Sequence, residues 1–129
     1  MGLITWNSGL ETGHPTIDGQ HFAMLEAYND LQNAIKQGLS GEEVETRLLV
    51  LRDRTTKHFL TEETLMGQYA GAQAHKRHHA DLLAQLKDIV DRFRVDKNSL
   101  TPPVMDFLAG WLVFHLKDED VRLVQFLNR

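Results

Sequence analysis

Apolar residues recur every three or four positions in four long segments of this chain, which is the spacing of one face of an α-helix. The first segment starts at Asp18, a good helix N-cap, and ends before Gly38. A capping box from Ser40 to Glu43 opens the second segment, and Thr101 with Pro102 behind it opens the fourth. These patterns predict helices over about 18–37, 41–70, 72–95 and 102–127, after an N-terminal arm at 1–17.

The loops between the segments are only about three to seven residues long, and short loops force consecutive helices to lie antiparallel. The apolar stripes repeat near every 3.5 residues, which is typical of helices packed about 20° apart. No alternating run that would predict a strand rivals the helical pattern. The sequence therefore predicts an all-α, antiparallel up-down-up-down four-helix bundle in one domain over residues 1–129, with Trp6 packing the arm against it.

Composition narrows the function classes. The chain has no cysteine, which excludes disulfides, iron–sulfur clusters and thiolate zinc sites. A formal net charge of −4 without a basic stripe gives no indication of a nucleic-acid partner. The longest apolar run is too short to span a bilayer and the N-terminus does not resemble a signal peptide, so we expect a cytoplasmic protein without a membrane partner. The sequence identifies no protein partner.

Five of the seven histidines, together with two carboxylates, form a pattern that suggests metal binding. His58 with Glu62, and His75 with His79, are i,i+4 pairs, so the members of each pair point the same way from a helix. In an antiparallel bundle all of the candidates fall in one end half of the molecule. The candidate ligands are His21, His58, Glu62, His75, His79, His115 and Asp120.

The chemistry of these ligands points to a pair of transition-metal ions. Imidazoles with a few carboxylates suit iron, zinc, copper or nickel better than calcium or magnesium. Seven ligands are too many for one ion and about right for two. Burying Glu62 and Asp120 without partners would be strongly unfavourable, and bridging two cations would remove that penalty. His14 and His78 lie off the stripes, and we expect both to be exposed and not to bind metal.

The last carboxylate is ambiguous from spacing alone. Asp120 follows His115 by five residues and therefore stands roughly 140° around a regular helix, at about 100° per residue. Glu119, at four residues, points more nearly the right way. Either Glu119 is the ligand, or the helix widens locally into a π-turn that brings Asp120 to the same side.

The combination of motifs resembles the hemerythrin family, in its single-domain bacterial form. The resemblance covers nearly the whole chain and rests on Trp6, Ile17-Asp18-x-Gln20-His21, His58-Phe59-x-x-Glu62-Glu63-x-x-Met66, His75-x-x-x-His79 and Trp111-x-x-x-His115-x-x-x-x-Asp120. The resemblance favours Asp120 over Glu119 as the last carboxylate ligand. One departure is the stretch from Tyr69 to Gln73, which lacks the proline that the family often has between its second and third helices.

The resemblance implies a non-haem di-iron site. By it, His75, His79 and His115 hold one iron, and His21 and His58 hold the other, which keeps an open position. Glu62, Asp120 and an oxo or hydroxo group bridge the two irons, and dioxygen binds at the open position as a hydroperoxide. The residues expected around that oxygen pocket are Phe22, Leu25, Phe59, Trp111, Leu112 and Leu116.

The resemblance and the charge of the site together favour reversible dioxygen binding, in storage, delivery or buffering, over catalysis. Two ferrous ions with two carboxylates and a hydroxide keep a net positive core, whereas ferritin-like di-iron enzymes carry four carboxylates. A more positive core should resist the higher oxidation states needed for O–O cleavage. Three alternatives stay open: an oxygen, nitric-oxide or redox sensor; a peroxidase or nitric-oxide reductase; and an iron-storage protein.

Overall fold

The computed structural model describes residues 3–129, so Met1 and Gly2 at the start of the predicted arm lie outside the described residues. Across that range the chain is helical and contains no strand. A short 3-10 helix at Ser8–Leu10 precedes α1 (Pro15–Lys36), α2 (Gly41–Leu65), α3 (Ala72–Val95), α4 (Pro102–Lys117) and α5 (Glu119–Leu127). The first three helices and the α4–α5 pair form the predicted four-helix bundle. Within residues 3–129, none of the helices has the length and apolar content to cross a membrane.

Helix α1 begins three residues earlier than predicted, because His14 rather than Asp18 is its N-cap. The His14 Nδ1 atom accepts a hydrogen bond from the Ile17 backbone N–H at 3.3 Å, and Pro15 occupies the first helical position, where its missing N–H is harmless. His14 is consequently half-buried, not exposed as expected. Asp18 lies in the first turn, where its carboxylate accepts hydrogen bonds from the Thr12 N–H and hydroxyl at 2.8 and 2.7 Å. The arm therefore ends at residue 14.

The predicted end of α2 and the predicted continuity of the fourth helix are both wrong. Helix α2 ends at Leu65, not at residue 70, and the turn that follows contains Gly67 at a φ of 46°, which favours glycine. The fourth helix stops at Lys117 and restarts as α5 at Glu119. Asp118 between them has φ −112° and ψ −72°, away from regular helical values.

The arm packs on the bundle as predicted. Trp6 is half-buried against the core, and its ring meets the Phe22 ring edge-on at 5.8 Å. The Ile4 backbone exchanges two hydrogen bonds with the Asn29 side chain, at 2.9 and 2.8 Å. These contacts hold the arm along α1.

Two apolar clusters fill the interior. The larger runs through most of the bundle and includes Tyr28, Leu48 and Phe93, all at most 2% exposed. The smaller one closes one end of the bundle and contains Ile17, Met66, Leu123 and Val124. Along each helix the polar candidate ligands lie between the two clusters.

Candidate metal centre

All seven predicted ligands meet in one buried cluster. Each is at most 3% exposed. Their nitrogen and oxygen atoms form two overlapping groups, in each of which the atoms lie within 4.8 Å of one another. One group is Glu62, His75, His79, His115 and Asp120, and the other is His21, His58, Glu62 and Asp120. Both carboxylates therefore belong to both groups.

The Asp120 carboxylate divides its two oxygens between the two groups. Oδ1 lies 2.8 Å from His115 Nε2 and 3.1 Å from His75 Nε2. Oδ2 lies 2.5 Å from His21 Nε2 and 2.8 Å from His58 Nε2. A carboxylate that presents one oxygen to each set of imidazoles has the geometry of a bridge.

Glu62 contacts imidazoles of both groups through one oxygen and leaves the other oxygen unpaired. Oε1 lies 3.1 Å from His79 Nε2 and 3.3 Å from both His58 Nε2 and His115 Nε2. Oε2 is buried and has no hydrogen-bond partner among the described residues. An unsatisfied buried carboxylate oxygen is strongly unfavourable, so this atom is suited to a cation.

The break between α4 and α5 brings Asp120, rather than Glu119, into the cluster. Asp120 is completely buried, whereas the Glu119 side chain is 12% exposed and faces the rear of the His115 ring. Glu119 Oε1 lies 3.4 Å from His115 Nδ1, and its Oε2 lies 2.5 Å from Nδ1 of His78, which is exposed as expected. A helix interrupted at Asp118, rather than a π-turn, accommodates the five-residue spacing.

A chain of hydrogen bonds determines the tautomer of His58. The Thr61 hydroxyl donates to the Lys57 carbonyl at 3.1 Å, so its lone pair accepts from the Gln20 amide N–H at 2.9 Å. Gln20 must then present its carbonyl oxygen to His58 Nδ1, 2.9 Å away. His58 Nδ1 therefore carries the proton, and its Nε2 lone pair points into the cluster.

His79 is oriented in the same way by a carboxylate. Its Nδ1–H donates to Glu63 Oε2 at 2.9 Å, since an ionised carboxylate can only accept. The Nε2 lone pair then faces Glu62 Oε1 at 3.1 Å. Two lone pairs at this distance repel unless a cation or a proton lies between them. The donor set therefore fits transition-metal ions, and second-shell acceptors of this kind are usual behind metal-binding histidines.

Burial favours the neutral form of His58 and His79, whereas for His115 it is outweighed by the charge and hydrogen bond of Asp120, which raise the pKa of His115 well above its usual range. Burial lowers the pKa of His58 to about 4 and lowers that of His79 as well. Burial raises the pKa of Glu62 to about 7. For Asp120 burial acts upward, but the charge and hydrogen bond of His115 outweigh it and hold the pKa well below its usual range. His58 and His79 thus present unprotonated Nε2 atoms at neutral pH.

Of the six predicted pocket residues, Phe59 and Trp111 contact histidines of the cluster. The buried Phe59 ring stacks on His79 at 3.8 Å between centroids, and Trp111 stacks on His115 at 5.0 Å. Leu25, Leu112 and Leu116 are buried in the larger apolar cluster. Phe22 is 50% exposed and packs on Trp6 instead of on a histidine of the cluster.

The sequence did not identify the residues behind the imidazoles. Gln20 precedes His21 and Glu63 follows Glu62 in the sequence. Each of them nevertheless accepts a hydrogen bond from a histidine on a different helix. Both residues stand in the motifs that carry the family resemblance, but their contacts depend on the register of antiparallel helices, which the periodicity does not determine.

Comparison with known proteins shows the family of this chain. The model described as "Hemerythrin HHE cation binding domain" matches residues 12–127. The chain belongs to the hemerythrin family. Among hemerythrins, the bacteriohemerythrin of Pseudomonas aeruginosa is 30% identical over 126 residues, which is 96% of this chain and 81% of that protein. Hemerythrin subunit 1 of Golfingia vulgaris is 29% identical over 119 residues, covering 91% and 87%.

Solved hemerythrin structures share the whole fold. A crystal structure of hemerythrin with one leucine replaced by tyrosine superposes with a TM-score of 0.85, at 28% identity and 94% coverage of both chains. The structure with alanine at that leucine gives 0.84. The hemerythrin family is known for oxygen binding at a di-iron centre, and its members are mainly oxygen carriers.

Proposed function

We propose that this protein binds dioxygen reversibly at two iron ions, in oxygen storage, delivery or buffering. One observation carries the proposal: the candidate ligand atoms form two overlapping groups that share Glu62 and Asp120. Two sets of imidazoles joined by two carboxylates are the donor arrangement that a closely spaced pair of cations needs. Its setting in a hemerythrin-family chain makes iron the expected metal.

The proposed division of ligands is three histidines to one iron and two to the other. His75, His79 and His115 would hold the first iron, and His21 and His58 the second. Glu62, Asp120 and an oxo or hydroxo group would bridge them. The split contacts of the Asp120 oxygens support this division. The smaller set leaves a coordination position available for dioxygen.

The residues of the chain determine what the site does with oxygen. The bound irons would supply the electrons that dioxygen binding requires. The chain excludes bulk water, because each ligand is at most 3% exposed and Phe59 and Trp111 cover the rings of His79 and His115. These aromatic side chains, with Leu112 and Leu116, offer no acidic proton, and O–O cleavage generally needs a positioned proton donor.

The charge of the ligand set also favours binding over oxidation. Neutral imidazoles contribute no charge, so only the two bridging carboxylates offset the charge of the metal ions. Ferritin-like di-iron enzymes instead place four carboxylates around their metals. A less anionic ligand set stabilises high oxidation states less, which supports a carrier over an oxidase.

The stoichiometry of oxygen uptake tests this proposal. Metal-free protein is loaded with ferrous iron without oxygen, its bound iron is counted, and a known amount of oxygen is then titrated in. We expect two irons per chain and one dioxygen taken up per iron pair. Continuous oxygen consumption beyond that ratio would indicate an enzyme, and binding of many irons per chain would indicate storage.

A further inference from the structure

Two histidines of the cluster, one from each ligand group, are supported from behind by different chemical groups at the same distance. His79 Nδ1 donates to the Glu63 carboxylate at 2.9 Å. His58 Nδ1 donates to the Gln20 amide oxygen, also at 2.9 Å. Because the two distances are equal, the contrast lies in the acceptor: a charged carboxylate in one group and a neutral amide in the other.

The remaining histidines extend this asymmetry. His115 Nδ1 lies 3.4 Å from the Glu119 carboxylate, an ion-pair distance longer than a hydrogen bond. His21 Nδ1 is buried without a hydrogen-bond partner among the described residues. The group containing His75, His79 and His115 therefore has two carboxylates behind its imidazoles. In the described chain, neither His21 nor His58 has a carboxylate at its Nδ1.

A carboxylate and an amide affect the metal-binding nitrogen differently. A carboxylate attracts the Nδ1 proton more strongly than an amide oxygen does, and this shifts electron density to Nε2. The Nε2 lone pair becomes a better donor to a cation. Loss of such an outer acceptor typically costs about 10- to 100-fold in metal affinity.

We propose that Glu63 and Gln20 are positioning residues that widen the difference between the two metal positions, which already have three histidines and two. The position formed by His75, His79 and His115 binds a divalent cation more tightly and fills first, and the position formed by His21 and His58 fills second. This inference rests on the proposed two-metal centre and adds an order of filling to it.

Stepwise cobalt binding to the metal-free, full-length protein tests the inference. Calorimetry gives the two binding constants, and proton NMR at one equivalent of Co²⁺ shows which imidazole N–H signals are shifted by the paramagnetic ion. We expect two unequal steps, with the His79 N–H shifted at the first. Glu63→Gln should weaken the first step by about tenfold or more. Gln20→Glu should strengthen the second step by about tenfold.

Matched controls separate this effect from a general change of charge or fold. Glu42→Gln and Gln85→Glu make the same side-chain changes at exposed positions of α2 and α3, and should alter neither constant. Far-UV circular dichroism checks that each variant folds. A gain of affinity in Gln20→Glu cannot result from damage to the fold, so this variant decides the matter even if Glu63→Gln is unstable.

Three outcomes would overturn the inference. They are two equal steps in the unmodified protein, a first ion seated on His21 and His58, and binding constants that Glu63→Gln and Gln20→Glu leave unchanged. Binding of fewer than two Co²⁺ ions by the unmodified protein would instead contradict the two-metal centre and the proposed function with it.

Discussion

At the scale of the residue, the group behind each histidine ring decides which nitrogen is free to bind a cation. Gln20 and Glu63 accept from the Nδ1 atoms of His58 and His79, so the two Nε2 lone pairs converge on the carboxylates. In the absence of a cation, only protons can separate these lone pairs from the carboxylate oxygens. The residues of the cluster are thus arranged for metal binding at the expense of the stability of the metal-free protein.

Removing His58 tests the smaller ligand group. We expect His58→Ala to abolish oxygen uptake, because His21 alone would remain as the imidazole ligand of that iron. The lost side chain is completely buried, so the free energy of unfolding should fall by about 2–4 kcal/mol while the helices persist. Oxygen titration measures the uptake, and unfolding followed by circular dichroism measures the stability and the helix content. His14→Ala, in the arm, is the control and should keep full oxygen uptake. Unchanged oxygen uptake in His58→Ala would show that His58 is not a ligand of the site.

Glu62 gives a pH-dependent test. Burial raises its pKa to about 7 from 4.5, so the folded metal-free protein loses stability as the pH rises from 4.5 through 7. A glutamine does not titrate. Metal-free Glu62→Gln should therefore become more stable than the metal-free parent as the pH rises, by about 1–3 kcal/mol above pH 7. Urea unfolding at several pH values measures the difference, and a gap that does not grow with pH would contradict this interpretation.

The residue pattern predicted the seven candidate ligands better than it predicted the residues that hydrogen-bond to their imidazole rings. His58 with Glu62, and His75 with His79, are visible because i,i+4 spacing is a local property of a helix. Gln20 and Glu63 act between helices, where the contact depends on an axial register that one sequence does not encode locally. The metal-ligand roles themselves stay a prediction until an ion is bound.

At the scale of the element, periodicity predicted the bundle, and local hydrogen bonds and backbone breaks determined where its helices begin and end. A capping histidine and Pro15 start α1 early, and Asp118 interrupts the fourth helix. The interruption matters most, because a regular helix would favour Glu119 beside His115. The five-residue spacing to Asp120 is accommodated only by a departure from regular geometry, which the apolar period cannot predict.

Asp18 tests how the arm is attached to α1. Its carboxylate accepts hydrogen bonds from Thr12 and Gly13. Burial acts to raise the pKa of Asp18, but these hydrogen bonds outweigh it and lower the pKa below 3.8. Stability from this group is therefore present above pH 3.8 and lost as the pH falls through the lowered value.

We expect Asp18→Ala to lower the free energy of unfolding by about 1 kcal/mol at neutral pH. The difference from the parent should close in acid below pH 3.8. Urea denaturation of both proteins at pH 7 and in acid measures the difference in their free energies of unfolding. Asp30→Ala, at an exposed position of the same helix, is the control and should have little effect at either pH. A difference that persists in acid would show that the carboxylate is not what holds the arm.

At the scale of the whole molecule, the polar cluster lies between the larger apolar core and the small cluster that closes one end of the bundle. Candidate ligands from α1, α2, α3, α4 and α5 meet there. Metal ions held by all of these helices would cross-link the fold in a way that the apolar clusters alone do not.

Removing the metal should therefore destabilise the whole bundle. A ligand at a thousand times its Kd stabilises the folded state by about 4 kcal/mol. For a chain of this size we expect the metal-loaded protein to melt roughly ten degrees or more above the metal-free protein. Calorimetry of the two forms at equal protein concentration measures the shift. Equal melting temperatures would mean that the cluster does not hold metal tightly.

Reversibility of oxygen binding is the most direct test of the account. Reduced, iron-loaded protein is exposed to oxygen, its visible spectrum is recorded, the oxygen is removed and the spectrum is recorded again over several cycles. We expect a visible absorption band that appears with oxygen and disappears without it. A band that decays to a ferric spectrum and does not return to the starting state when oxygen is removed would contradict the account.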